Sequence, residues 1–248
     1  MYNCYTPQET AEIVSRSGAI KGNMRLDKVF FSAVSAGCLL AFACATALST
    51  NASPWYQENA PGLIRTISAI VFPYGLCSIV LTGADLCTGS FMTEAIKFAT
   101  SKQVTPEWHQ IFLRGIGANW LVCLACYLGM SGREYFSKIV GIWWPTFAFV
   151  SLGFDHVVAN MFFVPMGIFQ GADITVGLYI WKGIIPAGLG NIVGGFLFVG
   201  AYYWYQYLAF LPAPVIDGIA YEAVSPNGHV DFGARRKTGD EETLGGGN

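Results

Sequence analysis

Long apolar stretches alternate with short polar segments along the whole chain. Five stretches have the length and hydrophobicity of membrane spans, at about 29–49, 63–84, 111–130, 139–167 and 176–208. A helix needs about 20 mainly apolar residues to cross the ~30 Å hydrocarbon core of a bilayer. The pattern therefore predicts an all-α polytopic membrane protein that lies in the lipid bilayer.

The same pattern divides the chain into a polar N-terminal segment (1–28), a transmembrane domain (29–209) and a tail (210–248) that we predict to be disordered. In the first segment Thr6, Pro7 and Glu9 have the order of a helix N-cap, first position and capping-box acid. This order predicts a short amphipathic helix on the cytoplasmic surface, although a simple solvated lead-in explains a polar segment equally well.

Basic residues predict the orientation of the first span. Arg16, Lys21, Arg25 and Lys28 precede it, whereas the loop 50–62 that follows contains no Lys or Arg. Cytoplasmic segments carry an excess of Lys and Arg. The N-terminus is therefore predicted to be cytoplasmic.

Composition excludes several classes of function. Hydrophobic residues make up 53% of the chain and charged residues 12%, against about 25% charged in a soluble domain. A net charge of -2 with scattered Lys and Arg gives no basic face for nucleic acid. We find no nucleophile and base arrangement or phosphate-binding loop of an enzyme, and the CxxC pair Cys123 and Cys126 lacks the partners of a metal site. No cofactor or metal is predicted.

An acid and a histidine interrupt the stretch 139–167, in the sequence Gly153-Phe154-Asp155-His156. A charged side chain at the centre of a bilayer costs about 2.5 to 3.5 kcal/mol on insertion scales, so it usually lines a polar path or has a partner. Two interpretations stay open at this point: a transport site, or an Asp and a His that only satisfy each other and a neighbouring helix.

A second interruption follows the stretch 63–84, where Thr82-Gly83-Ala84-Asp85-Leu86-Cys87-Thr88-Gly89-Ser90 contains an acid, two threonines and two glycines. Irregular backbone at membrane depth is tolerated only where it is buried in protein or lines a cavity. Interrupted hydrophobic segments in the two halves of a chain are typical of inverted-repeat transporters with a site near the midplane.

Three motifs in this order resemble the formate/nitrite transporter family: Thr82 to Gly89, Gly153 to Met161, and Pro186 followed by Gly190-Asn191-Ile192-Val193-Gly194-Gly195. Within this family, the resemblance points to the fungal nitrite transporters. The resemblance implies an aquaporin-like bundle with broken helices in spans two and five. It also implies a homopentamer in the plasma membrane with one pore per protomer. The expected substrate is a small monovalent anion, most of all nitrite, with formate as the alternative.

The resemblance also implies the residues of the pore. His156 corresponds to the central histidine and Thr88 to the threonine facing it, with Asp155 in place of the usual glutamate. The remaining pore residues are Asn160, Asn119 and Asn191, and the constriction residues are Phe72, Phe149, Leu76, Leu86 and Cys87. Core packing explains Phe72 and Phe149 as well, and Asn119 and Asn191 are equally consistent with hydrogen bonds between helices.

Besides Asp155, the chain departs from the family in three places. Cys87 stands where some relatives place a constriction phenylalanine. A lysine that some relatives place before the fourth span falls, on a gapless count, at Gln103, with Lys102 adjacent. The third span is absent, which leaves five crossings and an external C-terminus. The basic tail residues 235–237 contradict that orientation, whereas one more crossing between Lys97 and Trp108 would place the tail inside.

An anion in an apolar constriction loses its hydration, so the site has to offset the charge. Broken helices can direct their N-terminal dipoles at the anion. His156 is expected either to pair with the anion as an imidazolium or to donate a proton, which would couple transport to protons. The alternative is a non-conducting family member that lost a span and at most assembles with full-length protomers.

Overall fold

The computed structural model describes residues 4–81, 92–211, 214–217 and 219–220. This part of the chain is almost entirely helical. The helices are α1 (Pro7–Gly22), α2 (Leu26–Asn51), α3 (Pro54–Asn59), α4 (Pro61–Val71), α5 (Pro73–Leu81), α6 (Met92–Gln103), α7 (Trp108–Ser131), α8 (Tyr135–Ser151), α9 (Val157–Phe169) and α10 (Val176–Tyr207), and two short antiparallel strands follow, β1 (Val215–Ile216) and β2 (Ile219–Ala220).

The predicted N-terminal helix forms with its capping box. The Glu9 backbone N–H donates to Thr6 Oγ1 (3.3 Å) and the Thr6 backbone N–H donates to Glu9 Oε2 (2.7 Å). The helix lies against α7 and the end of α10, and the Tyr127 hydroxyl of α7 donates to the Pro7 carbonyl (2.7 Å). α1 is therefore docked on the bundle rather than a solvated lead-in.

Four helical stretches in the described part of the chain are long and apolar enough to cross a membrane: α2, α4 together with α5, α7 and α10. Each coincides with a predicted span. Phe72 lies between α4 and α5, and α10 contains two π-helical segments, Tyr179–Ile184 and Phe196–Ala201. The tail beyond residue 220 and the predicted break at 82–90 lie outside the described residues.

The span predicted at 139–167 is divided into α8 and α9. Helix α8 ends at Ser151, Gly153 adopts a positive φ of 70°, and α9 begins after His156 as its N-cap. A positive φ is freely available only to glycine, so Gly153 allows the chain to leave α8 here. This confirms the break predicted at Gly153.

Helices α7 and α10 pack with their backbones almost in contact. A Cβ atom added at Gly190 would lie 2.2 Å from the Phe112 carbonyl oxygen, and one at Gly194 would lie 2.2 Å from the Ile116 carbonyl oxygen. Small residues permit this close approach of membrane helices. The glycine motif thus fixes α10 against α7, and with it the position of Asn191 between the two glycines.

We expect Gly190→Ala to destabilise the bundle by about 1 to 3 kcal/mol, because its Cβ would collide with backbone that cannot move aside. Gly188→Ala is the matched control two residues earlier, since its Cβ would only touch Val157 Cγ2 at 3.9 Å. Thermal unfolding in detergent measures both variants. Equal losses of stability would contradict the close packing of α7 and α10.

The two ends of the described chain meet at one end of the bundle, which we call the terminal end. The Tyr5 hydroxyl donates to Asp217 Oδ2 (3.0 Å), and Arg133 Nη2 lies 2.7 Å from Asp217 Oδ1. The Arg133 guanidinium covers the Tyr5 ring at 4.1 Å, and the Tyr5 backbone N–H donates to the Ser131 carbonyl. Burial and the Asp217 carboxylate raise the pKa of Tyr5. The N-terminal segment, the α7–α8 turn and the β1–β2 turn are thus joined.

The opposite end of the bundle, which we call the far end, contains the start of α7. There Trp108 Nε1 donates to the Trp181 carbonyl (3.2 Å). Leu81, at the end of α5, instead packs near Ile139 at the start of α8, in the half that contains the terminal end. Lys97 of α6 is already at the far end, where its Nζ donates to Gln57 of α3 (3.3 Å). Leu81 and Lys97 therefore lie toward opposite ends of the bundle.

Five crossings would place the two ends of the chain at opposite ends of the bundle. Tyr5 and Asp217 are in contact, so the described part of the chain does not have the separated ends that five crossings imply.

Candidate functional site

A cavity of about 490 Å³ enters the bundle from the far end and reaches the break between α8 and α9. Residues of α2 to α4 and α6 to α9 line it. The lining residues that the structure describes include four cations and no aspartate or glutamate. The cations are Arg65, Lys97, Lys102 and Arg114.

The inner part of the cavity is aromatic. Phe72, at the junction of α4 and α5, and Phe149, in the last turn of α8, are buried and meet edge to face with ring centroids 5.7 Å apart. The Phe149 ring lies 6.1 Å from the His156 ring. The structure therefore brings together three of the residues predicted for the pore, and all three line the cavity.

His156 is the N-cap of α9. Its Nδ1 accepts a hydrogen bond from the Ala159 backbone N–H (3.3 Å), which places the proton of the neutral ring on Nε2. The positive end of the α9 dipole lies at the same position. His156 thus presents a hydrogen-bond donor at a helix N-terminus, an arrangement that favours an anion.

Asp155 is fully buried and forms an ion pair with Lys102 of α6. Lys102 Nζ lies 2.9 Å from Asp155 Oδ1, which also accepts from Asn160 Nδ2 (3.2 Å), and Arg114 Nη1 lies 3.9 Å from Oδ2. A buried carboxylate without a partner would be strongly unfavourable. Asp155 is therefore satisfied mainly by Lys102 rather than by His156.

Lys102 also satisfies the backbone at the break. Its Nζ donates to the Gly153 carbonyl (2.8 Å) and the Phe154 carbonyl (3.0 Å), which have no helical partners where α8 ends. The ammonium thus neutralises Asp155 and complements the negative end of the α8 dipole. One side chain from α6 holds the break in its conformation.

Two predicted asparagines lie outside the cavity lining and join helices. Asn191 Nδ2 donates to the carbonyls of Gly115 (2.8 Å) and Asp155 (3.0 Å), and its Oδ1 accepts from the Val157 backbone N–H (2.8 Å). Asn119 Nδ2 donates to the Asn191 carbonyl (2.8 Å). Both act as hydrogen bonders between helices, and Asn191 ties α7 and α10 to the break.

Of the remaining predicted residues that the structure describes, Asn160 lines the cavity and Leu76 does not. Leu76 packs beside Cys77, Ala125 and Ile142 in the terminal half of the bundle. Thr88, Leu86 and Cys87 lie outside the described residues. In the part of the chain that the structure covers, no three His, Cys, Asp or Glu residues come together as a possible metal site.

Sequence reasoning missed the four cations of the cavity. The gapless count assigned the lysine of the relatives to Gln103, but Gln103 is buried beside Gly183 and Lys102 reaches the site. The position of Lys102 next to Gln103 was the only sign in the sequence that Lys102 reaches the site. Arg65 and Arg114 lie within the first two turns of α4 and α7, where basic residues commonly mark the membrane interface.

A bundle of apolar helices with a polar break at the base of a cavity defines the protein as a membrane transporter or channel. A model of the formate/nitrite transporter family matches residues 8–103 and 93–205. The chain belongs to this family. Its relatives are transporters and channels, which agrees with the prediction that it is not an enzyme.

Two relatives and one solved structure show the extent of the similarity. The chain is 32% identical to a probable formate transporter of Methanothermobacter thermautotrophicus, over 82% of this chain and 97% of that protein. It is 28% identical to the formate channel BtFdhC of Bacillus thuringiensis, over 82% and 96%. A pentameric formate channel with formate bound superposes with a TM-score of 0.64 at 26% identity, over 73% of this chain and 97% of that chain.

The alignment with the Methanothermobacter protein also locates the family's missing span. It extends over 267 positions but covers 82% of this 248-residue chain, or about 203 residues, so that about 64 positions face no residue here. One span with its loops requires this order of length. The two family matches overlap at 93–103, within α6, so the unmatched positions fall at this helix.

Proposed function

We propose that this chain carries a small monovalent anion, formate or nitrite, across the membrane through the cavity that ends at His156. The observation that carries the proposal is the position of His156 at the N-terminus of α9, beneath Phe72 and Phe149, in a cavity lined by four cations. Formate is supported by the names of the relatives, and nitrite only by the description of the family, formate/nitrite transporter.

The site offsets the charge of an anion in two stages. Cations in the wide part of the cavity attract the anion while it is still hydrated. At the aromatic constriction hydration is lost, and the His156 Nε2–H together with the α9 dipole compensates for part of that loss. For proton transfer, His156 Nδ1 first takes up a proton from the medium and gives up its hydrogen bond from the Ala159 N–H. The imidazolium then donates its Nε2 proton to the anion and becomes neutral again, and the neutral acid crosses the apolar section, which couples transport to protons.

The proposal also covers assembly and orientation. The formate channel that superposes on this chain is pentameric, and we propose a homopentamer with one pore per protomer. Basic residues of the N-terminal segment, Arg133 and Lys138 lie at the terminal end, so the positive-inside rule makes that end cytoplasmic. The cavity then opens outward, with the plasma membrane as the proposed location.

Uptake of labelled formate into liposomes containing the purified chain tests the proposal. We expect uptake to require an inward proton gradient and to fall at least about tenfold in His156→Ala, because the donor at the constriction is lost. His109→Ala is the matched control, since His109 is exposed at the far end and does not line the cavity. Competition with unlabelled nitrite ranks the two anions.

Uptake that persists in His156→Ala would exclude this residue as the central pore group. A chain that is folded and inserted but takes up neither anion would support the non-conducting alternative, for which the gap of about 64 positions is the specific observation. Uptake without a proton gradient would support an anion channel and exclude proton coupling.

A further inference from the structure

The four cations of the cavity differ in what their N–H groups already bind. A lysine ammonium has three donors, and Lys102 uses them on Asp155 Oδ1 (2.9 Å) and on the carbonyls of Gly153 and Phe154. Lys97 donates to a glutamine of α3 and makes a further interaction. Both lysines are thus engaged by the protein, and the donors that remain for an anion are those of the two arginines.

Arg114 is the arginine beside the break. Its Nη1 lies 3.9 Å from Asp155 Oδ2, and its side chain is 43% exposed in the cavity. It forms no hydrogen bond with any residue that the structure describes. Arg65 lies further out, seven residues before Phe72 along α4, which is about 10 Å at the rise of a helix. Arg114 therefore presents unused donors at the inner end of the cavity, next to the residue that precedes His156.

The Asp155 carboxylate supplies an anchor for this guanidinium. Asp155 is fully buried, and its Oδ2 accepts no hydrogen bond within the described structure. Buried acceptors are normally satisfied, and a shift of about 1 Å would bring Arg114 within the ~2.9 Å of a charge-assisted hydrogen bond. A guanidinium carries five N–H donors in a planar fork. One edge can therefore satisfy Oδ2 while the other edge faces the cavity.

We propose that Arg114 binds the transported anion at the inner end of the cavity and makes the site selective for planar anions with two oxygens. Asp155 Oδ2 orients one edge of the guanidinium, and the other edge donates paired hydrogen bonds to the two oxygens of formate or nitrite. A spherical anion such as chloride is attracted by the same charge but does not match the fork. This role rests on the proposed function, because it concerns the anion that the cavity carries.

Saturation-transfer NMR of the formate proton, with the detergent-purified chain in chloride-free buffer, measures the dissociation constant of formate, and displacement by added chloride measures that of chloride. We expect Arg114→Gln to weaken formate about tenfold and chloride about threefold, because formate loses the paired bonds as well as the charge. Arg114→Lys keeps the charge without the fork. It is expected to weaken formate about threefold and to leave chloride unchanged.

Arg65→Gln is the matched control, because it removes the same charge from the same cavity. It is expected to weaken formate and chloride equally, by about threefold at most, and salt is expected to reduce this effect. The thermal unfolding midpoint of each variant is expected to stay within about 2 °C of the unsubstituted chain, since partly exposed ion pairs contribute little stability.

An equal loss of formate binding in Arg114→Gln and Arg65→Gln would overturn the proposal, as would an unchanged formate affinity in Arg114→Lys. In liposomes, Arg114→Gln is expected to raise the KM for formate about tenfold with the maximal rate within about twofold. The NMR titration needs no transport. A chain that binds formate through Arg114 but takes none up would contradict the proposed function alone, whereas normal uptake with an unchanged KM in Arg114→Gln would overturn this inference alone.

Discussion

Replacement of Lys102 by methionine is expected to destabilise the protein by about 3 to 5 kcal/mol and to abolish uptake. Removing one partner of a buried ion pair leaves the other charge without compensation, and Asp155 is fully buried. The carbonyls of Gly153 and Phe154 would lose their donor as well. Unfolding in detergent gives the stability, and labelled formate uptake gives the activity.

The stability lost by breaking the Lys102–Asp155 pair can be distinguished from the general effect of losing a lysine. Lys97→Met removes the same group from an exposed position on the same helix, so its stability is expected to change by less than about 0.5 kcal/mol. The double variant Lys102→Met with Asp155→Leu is expected to be more stable than Lys102→Met alone, because no uncompensated charge remains. A double variant less stable than the single one would show that Lys102 does not act through Asp155.

Replacement of Asn191 by leucine is expected to cost about 3 kcal/mol or more. Each buried polar group left without a partner costs about 1 to 3 kcal/mol. The Asn191 side chain accepts a hydrogen bond from the Val157 backbone N–H and donates to the carbonyls of Gly115 and Asp155. Uptake is expected to fall with stability, because these bonds position the start of α9. Thermal unfolding and uptake in the same preparation measure both effects.

Asn119→Leu is the matched control for this variant, because the Asn119 side chain donates one hydrogen bond in the described structure, to the Asn191 carbonyl. Its expected cost is about 1 kcal/mol. Equal effects of the two substitutions would mean that Asn191 is no more than a bond between α7 and α10. A larger effect of Asn191→Leu supports its additional contact with the break.

The break at His156 was predictable because its sequence combines unusual features. Within an apolar run, Gly153 supplies the positive φ and Asp155-His156 supplies polar groups that need partners. The aromatic pair Phe72 and Phe149 was predictable only from the family likeness, since two separated phenylalanines in apolar helices carry no signal for contact. Their edge-to-face packing depends on the kink at Phe72 and on where α8 ends.

The partner of Asp155 was not predictable from the sequence. Lys102 and Asp155 are separated by 53 positions, and their contact depends on where α6 lies in the bundle. The charged residues of α6 suggested a segment outside the membrane, but its Ala99 packs against Val164 and its Lys102 is buried by the break. Tertiary packing here outweighs the polar character of the segment.

The contact between Tyr5, Arg133 and Asp217 has a consequence for experiments on sealed vesicles. A protease or an antibody confined to one side of the membrane is expected to reach epitope tags inserted beside Tyr5 and beside Asp217 together, or neither of them. Reporters inserted at these two positions are expected to occupy the same compartment. If only one tag were accessible, the result would contradict the contact of Asp217 with Tyr5 and Arg133.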